Sequence, residues 1–113
     1  MQRLPKRLVD GSQLTASAAT YYTTPANTIT TIAACTLTNT TAGAVTATVY
    51  LVPSGGSATT SNVILSARTL AAGESYNVGS AIGQTMAAGG TLQALAGSAT
   101  SIALVASGYE TNP

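Results

Sequence analysis

The chain has 113 residues, enough for one domain with a thin core. It carries four Lys or Arg, three Asp or Glu and no His, so acid/base and nucleophilic catalysis have almost no side chains to draw on. Hydrophobic residues make up 45% and mean hydropathy is +0.31 at a net charge of +1, the reverse of the disordered signature.

The opening segment, MQRLPKRLVDG, is basic and has no apolar region behind it, so it does not read as a secretory signal. Residues 1–14 are expected to form an extended arm, because Pro5 and Gly11 interrupt regular structure there; the alternative is a frayed terminus. Arg3, Lys6 and Arg7 would make it a contact for an acidic protein surface, and nucleic acid is the disfavoured partner because no aromatics interleave the cations.

Residues 15–113 are expected to form the folded domain. Residues 19–23 read as a short strand and Thr24-Pro25-Ala26-Asn27 as a turn. Residues 28–39 form a long strand in which Ile29, Ala33, Cys35 and Leu37 share one parity. The Thr40–Gly43 stretch is a hairpin turn, and residues 44–52 follow as a strand with Val45, Ala47, Val49 and Leu51 opposite Thr46, Thr48 and Tyr50. A polar loop from Pro53 to Asn62 leads to a strand over 63–70, a turn at Ala71-Ala72-Gly73 and a short strand over 74–78. Residues 79–87 fit a helical turn or a loop equally well. Two last strands, 91–96 and 101–109, follow. Seven or eight short strands spaced by turn residues predict an all-β fold, an antiparallel β-sandwich or jelly roll. Ile29, Leu37, Val45, Val49, Leu51, Leu65, Leu92 and Leu104 are its expected core.

No charged residue lies between Gly11 and Ala67, so the outward strand faces are written in Thr, Ser and Ala. Strands that lack edge charge invite pairing, and a chain of this kind is expected to be a homo-oligomer or fixed in a larger assembly. No apolar run approaches the ~20 residues that span a bilayer, so no membrane partner is expected. Cys35 is the sole cysteine and reads as a buried small hydrophobe, leaving no disulfide and no thiolate metal site.

Asp10, Glu74 and Glu110 are too scattered for a general acid/base pair and read as solvated or paired with Arg68. Ser54-Gly55-Gly56-Ser57 lacks the lysine of a phosphate loop, and Asn39-Thr40-Thr41 matches a glycosylation acceptor only by its three letters. The reading is therefore non-enzymatic, with no cofactor and no metal. The five tyrosines, Tyr21, Tyr22, Tyr50, Tyr76 and Tyr109, are the aromatic candidates for protein or glycan contact.

The order of phrases resembles a family of small β-sandwich proteins of tailed bacteriophages. The phrases are Tyr22-Thr-Thr-Pro-Ala-Asn-Thr28, Leu37-Thr-Asn-Thr-Thr-Ala-Gly-Ala-Val-Thr46, Val49-Tyr-Leu-Val-Pro-Ser-Gly-Gly56, Ile64-Leu-Ser-Ala-Arg-Thr-Leu-Ala-Ala-Gly-Glu74 and Ser107-Gly-Tyr-Glu110. The resemblance covers residues 19–110. It implies a virion structural protein located in the particle, a capsid decoration or cement protein contacting the major capsid protein. The alternative is a tail, baseplate or fibre component that binds a host glycan or receptor. It brings no catalytic residues. The three-fold sites of a shell suggest a trimer.

Overall fold

The computed structural model describes residues 2–112, and the side chains of Gln2, Arg3 and Asn112 lie outside what it describes. Nine strands are present among these residues: β1 (Gln2–Gln13), β2 (Ala19–Thr23), β3 (Ile29–Asn39), β4 (Val45–Val52), β5 (Val63–Leu70), β6 (Ser75–Asn77), β7 (Thr85–Met86), β8 (Thr91–Ala96) and β9 (Ile102–Asn112). A single 3-10 turn, Gly79–Ala81, and the two-residue β7 resolve the segment that read as either helical turn or loop.

The strands form two antiparallel sheets, one in the order β1-β9-β3-β6 with β7 also on β3, the other in the order β2-β8-β4-β5. Leaving β7 aside, the first strand pairs with the last, the second with the seventh, the third with the sixth and the fourth with the fifth. That nesting is a long hairpin rolled over on itself, the jelly roll, and the all-β sandwich expected from the strand spacing is present. Leu37 and Cys35 on β3, Leu104 and Ala106 on β9, Val49 and Ala47 on β4, and Leu92, Ala94 and Ala96 on β8 fill the space between the sheets.

The arm is a correction. Residues 2–13 form β1, an edge strand on β9, and Leu8 and Val9 are buried in the core with Leu14 just beyond. Pro5 is tolerated because an edge strand can leave one N–H side unpaired. Gly11, at φ 129°, sits where the register slips between Val9 and Ser12, so it bends the strand without ending it. Four of the charges, Arg3, Lys6, Arg7 and Asp10, thus lie on one sheet edge, and Arg68 lies on the edge strand β5. Edge charge, expected to be missing, is where this chain spends most of its charges.

The core expectation holds for Leu37, Val49, Leu92 and Leu104, which are fully buried. Val45, Leu51 and Leu65 are half-buried against that core. Ile29 is 50% exposed, which overturns its place in the list. The cause is a bulge: Ile32 faces Gly108 and Ala34 faces Ser107, so Ala33 is an extra residue and strand parity reverses across it. Thr30 and Ile32 point inward before the bulge, and Cys35, Leu37 and Asn39 after it. Opposite the bulge, a Cβ on Gly108 would lie 2.0 Å from the Thr31 carbonyl oxygen, so only glycine fits. A second bulge places Ala67 at φ 46°, its N–H donating to Thr48 Oγ1 at 3.0 Å.

Candidate interaction surfaces

Each open side of the sandwich, where an edge strand of one sheet faces an edge strand of the other, is closed by a cation and a tyrosine. On the first side Lys6 of β1 sits in register with Gly108, whose neighbours Leu104 and Ala106 at the same parity are core residues, so Lys6 points inward. Its Nζ lies 3.2 Å from Glu110 Oε2. Tyr22 of the facing sheet donates its hydroxyl to the same Glu110 oxygen, and that hydroxyl lies 2.8 Å from Thr30 Oγ1. Tyr22 and Thr30 are buried, and the Glu110 side chain is only 16% exposed. Burial, followed by the hydrogen bond to the Glu110 carboxylate, pushes the Tyr22 phenol up to about 12, because both disfavour the phenolate.

On the second side Arg68 stands opposite Ala47, a core residue, so it too points inward from an edge strand. Its guanidinium carbon lies 4.2 Å from the centre of the Tyr76 ring on β6. An inward-facing charge on an edge strand makes a second copy of the sheet a poor continuation, because that charge would have to be stripped of its partner or its water.

These placements settle several sequence-level candidates. Arg68 stacks on Tyr76, and Glu110 pairs with Lys6, correcting the pairing of the acids with Arg68. Glu74 accepts the Ala71 N–H at 2.7 Å and closes the turn in which Gly73 takes φ 72°. Asp10 is exposed on β1. The Asn39 carboxamide is buried: its nitrogen donates to the Gly43 and Leu70 carbonyls and its oxygen accepts from Thr41, so the acceptor-like triplet is turn chemistry. Cys35 is buried and its thiol is pushed up to about 11 by that burial. No group of three metal-ligating side chains occurs among the described residues, and no helix is long and apolar enough to cross a membrane.

Of the contact candidates, Tyr22 and Tyr76 are thus used inside the sandwich, and Tyr21 accepts the Thr15 N–H at 3.1 Å. Tyr50 and Tyr109 occupy outer-face positions, one on each sheet. Tyr50 stands in register with Gln93 beside Thr48 and Leu95, in a face that also carries Thr46, Thr69 and Thr91 and has no charged residue. Tyr109 stands in register with Pro5 and Thr31 on the other sheet. Arg7 is exposed one row away, opposite Ser107. Arg3 holds the register position opposite Thr111, and its side chain lies outside the described residues. The three cations expected to act together are split by strand alternation, with Lys6 turned inward and Arg7 outward.

Around Arg7 the outer face is concave. An open groove of about 410 Å³ is lined by Pro5, Lys6, Arg7, Ala33, Ser107, Gly108 and Tyr109. Its floor follows the β3 bulge, where Ala33 offers only a methyl and Gly108 no side chain. No sequence signal marked it, because the groove joins residues from both ends of the chain around a bulge that parity alone does not reveal.

No family model matches the chain, and no curated protein matches it. Among solved structures, a chain in the structure of infectious bursal disease virus, Gx strain, is similar over 96% of this chain and 38% of that one, at 16% identity and a TM-score of 0.39. The chain therefore spans well under half the length of that viral chain, and the likeness is too distant to bear on function.

Proposed function

We propose that this protein is a non-catalytic structural component of a virus particle, a decoration or cement protein that binds the assembled shell of a tailed phage in many copies. The observation that carries the reading is the charge-free outer face of the β2-β8-β4-β5 sheet, built on Thr46, Tyr50, Thr91, Gln93 and Leu95. A face of hydroxyls, methyls and one aromatic ring has no ion to strip of water, and its hydroxyls can pair with a partner's polar groups, so it suits permanent contact with protein. The inward charges support the same reading: they guard the edges, so association is directed to faces and uncontrolled edge pairing is suppressed. Glu110 and Glu74 are engaged in holding the fold, which leaves no paired carboxylates for acid/base work. The resemblance of residues 19–110 to small phage virion proteins supplies the setting.

The mechanism is linkage. A protein that binds the assembled shell and not its separated subunits stabilises assembly by mass action. Self-association into trimers would place equivalent faces around the three-fold positions of a shell. Electron microscopy of particles produced with and without the protein tests this. Copies distributed over the shell are expected. A few copies at one vertex would make it a tail component, and its absence from purified particles would overturn the virion reading.

A further inference from the structure

We infer that the groove beside Arg7 docks a carboxylate-bearing extended segment of a neighbouring protein, an inference that rests on the proposed role as an assembly component and names one contact it uses. Among the described residues that line the groove, Lys6 and Arg7 are the charged ones and none is acidic. Lys6 is already held by Glu110 from the inner side, so among the described residues the positive charge open to a partner here is the Arg7 guanidinium. A planar guanidinium takes a carboxylate through two parallel hydrogen bonds, and it is more weakly hydrated than an ammonium, which favours use at an interface. The Ser107 hydroxyl lies opposite Arg7 in register and adds a short polar partner. The remainder of the lining is the Pro5 ring, the Ala33 methyl and the Tyr109 ring, an apolar strip suited to the side chains flanking an acidic residue.

The lining disfavours a sugar. A saccharide is usually held by carboxylates or carboxamides that accept from its hydroxyls, and none is among the described residues that border the groove. The groove also runs across β1, β9 and the bulged part of β3, so its shape depends on β1 staying in the sheet.

Titration of the isotope-labelled full chain with a blocked peptide of alternating Glu and Ala, followed by amide NMR, tests the inference. Its Gln-for-Glu counterpart and a uronic-acid oligosaccharide serve as the other two arms. Saturable shifts are expected at residues 6, 7, 33 and 107–109 with the Glu peptide alone. Arg7→Gln should weaken that binding by about tenfold, the scale of a lost charged hydrogen bond, while leaving the amide spectrum of the folded domain intact. Arg7→Lys, which keeps the charge and loses the fork, should weaken it less. Absence of saturable shifts, shifts centred elsewhere, equal binding of the Gln peptide, or response to the oligosaccharide alone would each overturn the inference. Because this readout needs no particle, its failure is separable from a failure to find the protein on virions.

Discussion

The phenol of Tyr22 on β2 donates to the carboxylate of Glu110 on β9, 88 residues away in sequence and in the opposite sheet. This is a covalently unsupported tie between sheets at an open side of the sandwich, and its low exposure makes each partner dependent on the other. Tyr22→Phe leaves the Glu110 carboxylate with Lys6 alone and takes from the Thr30 hydroxyl its partner on Tyr22. A loss of about 1–3 kcal/mol is expected in urea unfolding, from the buried group left short of a partner.

The same tie makes a pH signature. The phenol is raised in the folded state from 10 to about 12, so the folded protein holds this proton more tightly than the unfolded chain does. The contribution is therefore complete below about pH 10 and is lost as pH rises through about 12. Thermal melts from pH 8 to 12 should fall more steeply for the natural chain than for Tyr22→Phe, since the other tyrosines titrate in both. Parallel curves would show that Tyr22 does not contribute.

Gly108→Ala would drive a methyl into the Thr31 carbonyl, 2.0 Å away. That contact is with backbone in a bulge, so relief requires moving β3 off β9. A destabilisation of about 1–3 kcal/mol or more is expected. Gly43→Ala, with nothing within 4 Å of the added carbon, is the control and should change the denaturation midpoint little.

Strand parity across the Ala33 bulge can be read by truncation. Leu37→Ala removes a fully buried side chain and should cost about 2–5 kcal/mol. Ile29→Ala removes one that is half exposed and should stay within about 0.5 kcal/mol. Equal effects in chemical denaturation would mean that the bulge is absent.

Deleting residues 1–13 removes β1, uncovers β9 and strips Leu8 and Val9 from the core. Burial of two such side chains is worth roughly 1.5–3 kcal/mol each, against a total stability of about 5–15 kcal/mol for a domain. The truncated chain should lose its cooperative unfolding transition. A well-folded truncated protein would show β1 to be dispensable.

The sequence by itself determined the all-β class, the places of most strands and turns, and the burial of Leu37, Val49, Leu92 and Leu104, because local alternation and turn residues act over a few neighbouring positions. The Asn39 turn and the Ala71–Glu74 turn were equally local. Tertiary structure decided what depends on partners distant in the chain. Pro5 and Gly11 look like breakers until β9 supplies the strand on which β1 pairs at an edge. Ile29 looks like core until Gly108 allows the bulge that reverses its face. Arg3, Lys6 and Arg7 look like one basic cluster until pairing with β9 sends Lys6 to Glu110 and Arg7 to the opposite face. The groove exists only because the jelly roll brings residues 5–7 beside 107–109, a closure set by sheet order and bulge geometry, to which no short stretch of sequence responds.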